Sequence, residues 1–227
     1  MGKRKAANAE GVVTRGKLHI TRDPQMYAEA VPPRVVPYKR IAGIDLGTNC
    51  GVAFCDVIPG RKLDTALVVA GQWNLAIGPF DSGPLRHVRL KQFLAILAAD
   101  CIVYENVKYT PPQATVAARG YKMAGVLARV ATASEFLGGL KTTLTTWCEE
   151  RQIATHGVAI TAIKQWATGL GNASKTAMIL AANARCGLSL DPEDYEHTGV
   201  DNIADAACCC AMGVEWYAEG LADNDSV

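Results

Sequence analysis

Four acidic residues and two lysines in this sequence have the types and settings that phosphoryl chemistry uses. Asp45 stands at the exit of the apolar run Ile41-Ala42-Gly43-Ile44-Asp45-Leu46, ahead of a Gly47-Thr48-Asn49 turn and a second apolar run, Val52 to Val57. Glu105 ends another such run, Cys101-Ile102-Val103-Tyr104. Asp201 and Asp205 are four residues apart on an expected helix, hence on one face. Lys164 and Lys175 flank a loop with two glycines, Gly169 and Gly171, which leads into a helix capped by Asn172 or Ser174. A loop of that kind offers backbone N–H groups and cations to an anion. Oxygen-only ligands suit Mg²⁺, with Mn²⁺ as a substitute, rather than Zn²⁺. Two such ions about 3.5–4 Å apart clamp the attacking water and the leaving oxygen of a phosphodiester. In that scheme Asp45 bridges both ions, Glu105, Asp201 and Asp205 hold the flanks, and Lys164 or Lys175 stabilises the charge that develops on the phosphate. Each feature also has a plainer reading. Asp45 can cap its own turn, Glu105 can be a surface residue at a strand end, and the two aspartates can be first-turn acids favoured by the helix dipole.

The elements that must position these groups follow from periodicity. Ile41 to Leu46 is too short for a stable helix and is bounded by turn residues, so it reads as a buried strand. Gly and Asn tolerate positive φ, which allows immediate reversal into the strand Val52 to Val57. Ala66 to Gly71, extended by Gln72-Trp73-Asn74, is a third strand, and the segment 78–84 is a loop by its turn chemistry. Leu90, Phe93, Leu94 and Leu97 mark a helix from Leu85. Cys101 to Glu105 returns as a strand, and side by side with the first it sets Asp45 and Glu105 at one sheet edge. Residues 114–151 read as a long alanine-rich helical stretch broken near Gly138-Gly139, and Gly157 to Thr161 as a short strand. The last helix, roughly Gly199 to Glu219, is small and apolar on every side after Asp205, so it packs closely on a sheet.

Composition bounds the class. The chain has 227 residues, of which 49% are hydrophobic, which suits one domain with a substantial core. No apolar run approaches a membrane span, and no secretory signal or myristoylation pattern is evident, since Ala6 stands where Ser or Thr is needed. The eight cysteines form no Cys-x-x-Cys pair, and three are consecutive, so they read as reduced core residues of a cytoplasmic protein. The net charge of +1 hides an asymmetry. Residues 1–40 carry nine basic and three acidic side chains, and their prolines point to an extended basic arm; from Asp191 to Asp225 there are ten acids and no Lys or Arg. The arm either lies along a polyanion or is a solvated tail.

Together, the Asp45 strand–turn–strand, the Glu105 strand, the glycine loop with its lysines and the terminal aspartate helix resemble the RuvC family of Holliday-junction resolvases, within the ribonuclease H-like superfamily. The resemblance runs from about residue 41 to 218. It implies an α/β fold: a five-stranded mixed sheet, three strands antiparallel and two parallel to the first, with helices on both faces. The expected organisation is a basic arm at 1–40, the nuclease domain at 41–219 and an acidic tail at 220–227. The implied activity is metal-dependent, paired, symmetric cleavage of four-way or other branched DNA by a homodimer with no membrane association. Asp45, Glu105 and Asp205 fall on the family's carboxylates, and Lys164 and Lys175 on its lysines. Asn202 departs from the acid or histidine the family commonly has three residues before the last aspartate, so the fourth ligand is either Asp201, a full helical turn before Asp205, or the side-chain oxygen of Asn202. Lys108 replaces the family's base-wedging aromatic, with Tyr109 beside it; Lys108, Tyr109, Arg119 and Lys122 join the loop lysines as expected DNA contacts. Asn202 also keeps open an inactive DNA-binding relative of the same fold. A further rival is the actin, heat-shock-70 and sugar-kinase superfamily, whose first phosphate loop is similar to Gly43-Ile44-Asp45-Leu46-Gly47-Thr48-Asn49. That rival needs a second domain and a second such loop, for which the sequence has no room.

Overall fold

The computed structural model describes residues 17–21, 23–30, 38–58, 63–64, 67–107 and 123–219. Six strands and seven helices are present among them: β1 (Lys17–Thr21), α1 (Pro24–Ala30), β2 (Lys39–Asp45), β3 (Asn49–Val57), β4 (Val69–Asn74), α2 (Leu85–Leu97), β5 (Cys101–Glu105), α3 (Met123–Glu149), β6 (Ala154–Val158), α4 (Ile160–Thr168), α5 (Lys175–Cys186), α6 (Tyr195–Thr198) and α7 (Val200–Ala218). They form a single sheet in the order β1-β4-β3-β2-β5-β6. The β2–β3 and β3–β4 pairs are antiparallel, whereas β5 is parallel to β2 and β6 is parallel to β5. This is the expected five-stranded mixed sheet, three strands antiparallel and two parallel to the first.

The arm holds more structure than its composition suggests. β1 pairs in parallel with β4 and adds a sixth strand at the edge. Tyr27 of α1 is buried, edge-on to Trp73 and Phe93. One aromatic anchor of that kind removes enough apolar area from water to fix a short helix that its prolines and charges would otherwise leave loose.

Helices cover both faces. On one face, α2 buries the stripe Leu90, Phe93, Leu94 and Leu97, and α3 buries Leu140, Leu144, Trp147 and Cys148 at helical spacing, both against Ala42, Ile44, Val52 and Trp73. On the other face, α4, α5 and α7 pack on Ile41, Ala53, Cys55, Cys101 and Val103. All eight cysteines are free and buried, as expected of core residues, with Cys208, Cys209 and Cys210 inside α7. No helix among the described residues is long and apolar enough to cross a membrane.

Three local expectations need correction. α3 runs unbroken through Gly138 and Gly139, because the buried stripe that follows holds the helix on the sheet despite the intrinsic cost of glycine, about 1 kcal/mol each. The short strand lies at Ala154–Val158 rather than Gly157–Thr161, since its register with Cys101–Glu105 places Val158 opposite Glu105 and α4 begins at Ile160. Lys164 lies on α4 and not in the glycine loop.

α7 approaches the sheet unusually closely, and glycine is what permits it. A Cβ built on Gly43 of β2 would overlap the Ala206 carbonyl oxygen and the Cys210 amide nitrogen, and one on Gly51 of β3 would overlap the Asn202 carbonyl oxygen. The helix backbone therefore rests on the strand backbones, and its second turn is level with the end of β2. The Gln72 side chain, buried in β4, donates to the Gly199 carbonyl at 3.4 Å, and the Asn202 amide donates to the Asn49 carbonyl at 2.9 Å. These bonds fix the start of α7 against the β2–β3 turn.

Candidate metal centre

β2 and β5 end side by side, with Ile44 opposite Tyr104. Their next residues, Asp45 and Glu105, project from the same sheet edge and, by strand alternation, toward the α7 face. Asp205 comes down onto them from α7. One carboxylate oxygen from each of Asp45, Glu105 and Asp205 lies within 4.8 Å of the others. The Oδ1 atom of Asp205 is buried and has no hydrogen-bond partner.

Burial dominates the electrostatics of this group. It lifts the Asp45 carboxyl well above the usual carboxylate range, and the neighbouring charges of Glu105, Asp205 and Asp201 push it further in the same direction. Asp205 is raised to about 7 by burial, then by Glu105 and Asp201, against the opposing pull of Lys164 and Lys175. Burial also raises Glu105, and Lys164 partly offsets the rise. Three carboxylates held together with an orphaned buried oxygen make a poor resting arrangement unless a positive charge joins them. The donor set is oxygen only, so it fits a hard divalent cation such as Mg²⁺ or Mn²⁺ and does not suit zinc.

The two lysines stand on either side. Lys164 Nζ donates to the Ala173 carbonyl at 2.8 Å, which bridges α4 to the end of the glycine loop. Ser174, rather than Asn172, caps α5 by accepting from the Ala177 amide at 3.2 Å, and Lys175 is the first residue of that helix. Lys175 Nζ donates to Asp201 Oδ2 at 2.5 Å and sits 5.2 Å from the centre of the Tyr195 ring. The bond to Asp201, then its charge and those of Tyr195 and Asp205, raise the lysine above its ordinary value, so it stays protonated.

The structure thus brings Asp45, Glu105, Asp205, Lys164, Lys175 and Asp201 to one edge. Asp201 is 9% exposed and engages Lys175, beside the three convergent carboxylates. Asn202 has its amide committed to the β3 backbone. Lys108, Tyr109, Arg119 and Lys122 lie outside the described residues. Sequence reasoning missed two contributors. Gln72 fixes the start of α7, and its one sequence signal is a polar side chain in an otherwise apolar strand. Lys141 of α3 donates at 2.8 Å to the Asn106 side chain, immediately after Glu105, and nothing in the sequence connects those two positions.

The sheet order, the strand directions and the carboxylates at the ends of the first and fourth core strands define a ribonuclease H-like fold. Within that class its fold is similar to that of RuvC. It superposes on the Thermus thermophilus RuvC structure with TM-score 0.51 at 18% identity, covering 81% of this chain and 98% of that one. A structure of T. thermophilus RuvC in complex with a Holliday junction substrate gives TM-score 0.52 at the same identity and coverage. The yeast mitochondrial Holliday junction resolvase Ydc2 is also similar, with TM-score 0.49 at 16% identity, covering 86% of this chain and 85% of that one. No family model and no curated protein sequence matches the chain.

Proposed function

We propose that this protein is a metal-dependent, structure-specific DNA endonuclease that resolves Holliday junctions or related branched DNA by paired phosphodiester cleavage. The observation that carries this reading is the convergence of Asp45, Glu105 and Asp205 within 4.8 Å, with Asp205 Oδ1 buried and unbonded, on the edge of a RuvC-like sheet. Of the two neighbours with the higher TM-scores, one is recorded with a Holliday junction substrate, and that substrate class is carried over here as part of the proposal.

Asp45, Glu105 and Asp205 would hold Mg²⁺ or Mn²⁺. When bound, the ions supply the positive charge that activates a water and stabilises the leaving oxygen. The chain's own residues do the rest. Lys175, kept protonated by Asp201 and held over Tyr195, presents a cation toward the scissile phosphate. Lys164, anchored on the Ala173 carbonyl, supplies a second. Both act as preorganised charges that need little rearrangement as negative charge builds on the phosphate. Asp201, one candidate for the fourth ligand, serves in this scheme to orient Lys175. Two symmetric cuts in a four-way junction call for two such sites, hence a homodimer.

The test is cleavage of a labelled synthetic four-way junction beside a matched linear duplex, in Mg²⁺ and in EDTA, with wild type and Asp45→Asn. Paired nicks confined to the junction, dependent on metal and lost in Asp45→Asn, are expected. Metal-independent cutting, or equal cutting by Asp45→Asn, would overturn the proposal.

A further inference from the structure

The loop between β4 and α2 leaves the sheet at the same edge as the carboxylates. Asn74, the last residue of β4, is opposite Asn49, two positions beyond the Asp45–Gly51 pair, and the Leu75 amide donates to the Thr48 carbonyl at 2.7 Å. From there the loop is cross-braced. The Ala76 amide donates to the Asn74 side chain at 2.9 Å, and the Gly78 amide donates to Asp81 Oδ2 at 2.8 Å. Arg89 of α2 grips both limbs, with one guanidinium nitrogen on the Ala76 carbonyl and the other on Asp81 Oδ2 at 3.2 Å. The side chain at the tip of this braced turn is Phe80, flanked by Pro79 and fully exposed.

A single exposed apolar side chain is ordinary on a protein surface. Phe80 differs in its mount: an aromatic ring on a turn held from both ends is preorganised, so little ordering cost remains when something stacks on it. The surroundings select the partner. With Arg89 paired to Asp81, residues 75–97 keep Arg86 and Lys91 of α2 as a net positive balance, which suits a polyanion. Cations on the helix that follows a projecting aromatic ring suit an unpaired nucleotide, the cations tracking phosphates and the ring taking a base face.

Resting on the proposed function, we propose that Phe80 is a stacking platform for an unpaired base of the branched DNA whose backbone is cut at the Asp45 edge. Alanine substitution at such platforms costs affinity by about fivefold to a hundredfold.

The experiment uses the full chain carrying Asp45→Asn, so that DNA stays intact, and a four-way junction with 2-aminopurine at the crossover. Junction affinity, 2-aminopurine fluorescence and the size of the free protein are measured for Phe80, Phe80→Ala, Phe80→Leu and Phe80→Trp. Phe80 and Phe80→Trp are expected to bind alike and to alter the fluorescence. Phe80→Ala and Phe80→Leu should lose both the signal and about fivefold or more in affinity, with affinity for linear duplex unchanged. Equal junction affinity and signal in Phe80→Ala would overturn the platform while leaving the nuclease proposal standing. A change in oligomeric size in Phe80→Ala would assign the ring to a protein contact and also overturn it. Failure of every form to bind the junction would instead sink the proposed function itself.

Discussion

Replacing Asp205 by asparagine is expected to stabilise the metal-free protein at pH 8. In the folded protein the Asp205 carboxyl titrates at about 7 instead of 3.8, because burial and the charges of Glu105 and Asp201 oppose its ionisation. Below 3.8 both the folded and unfolded states carry the proton, and the group contributes nothing to the difference between them. Between 3.8 and about 7 the unfolded chain has released its proton and the folded site has not, so stability falls as pH rises. Above about 7 the folded site ionises too, and the loss is complete. At about 1.36 kcal/mol per tenfold change in proton affinity, the full penalty is about 4 kcal/mol, an upper bound because part of the carboxyl reaches solvent.

The asparagine side chain introduced by Asp205→Asn has the same shape and no charge to bury. In EDTA at pH 8, the thermal unfolding midpoint of Asp205→Asn should therefore rise by up to about 8–16 °C, at about 2–4 °C per kcal/mol for a chain of this size. At pH 4 the gain should shrink to about 0.5 kcal/mol. Adding Mg²⁺ should narrow the gap, since the wild type gains binding energy, about 2.7 kcal/mol at a hundred times Kd, and the variant has lost a ligand. A midpoint at pH 8 equal to or below that of the wild type, or a gain indifferent to pH, would refute the reasoning. In that event the crowding of carboxylates would not be the dominant strain in this site.

Gly51→Ala should cost at least about 3 kcal/mol in thermal unfolding, because the new Cβ meets the backbone of α7 and neither side can yield; a variant as stable as wild type would contradict the close approach. Lys175→Met should lower single-turnover cleavage by about a hundredfold, in line with the loss of one preorganised donor, while junction affinity falls less than about tenfold; an equal loss of both would make Lys175 a binding residue instead. Tyr27→Ala should cost about 3–5 kcal/mol and expose the amides of β1 to exchange, since that ring is the buried anchor of α1; unchanged protection of β1 would show that strand pairing alone holds the segment.

The strands that carry Asp45 and Glu105 were legible because each is a short apolar run with turn residues at its ends, and parallel neighbours must finish at one edge. Asp205 was legible because a helix that is small and apolar on every side has nowhere to go but onto the sheet. The glycines at 43 and 51 are plain in the sequence, but their purpose is not: only the structure shows that both face α7, and that their missing side chains set the distance from helix to strand. α1 and β1 were hidden for a different reason. A seven-residue helix carries too little periodicity to register, and the one residue that holds it, Tyr27, acts through Trp73 and Phe93, which are far away in sequence. Asp201 illustrates the same limit. Spacing set it on the face of Asp205, and the choice between ligand and partner of Lys175 depends on where α5 begins.

The two faces of the sheet divide the work. Beside the larger Val200, Ile203, Met212 and Val214, α7 itself buries Ala204, Ala206, Ala207, Cys208, Cys209, Cys210, Ala211 and Gly213. Side chains this small bury little apolar area each, but they let the helix backbone descend until Asp205 reaches Asp45 and Glu105. The opposite face holds the buried aromatic rings. Trp73 and Phe93 stack with centroids 5.0 Å apart and planes within 6°, with Leu90, Leu94, Leu97, Leu140 and Leu144 around them. At about 1.5–3 kcal/mol for each fully buried large side chain, that face can offset the crowding of carboxylates across the sheet. The carboxylate edge can therefore be electrostatically strained while the fold holds, because the groups that stabilise the fold are not those that must approach closely to form the site.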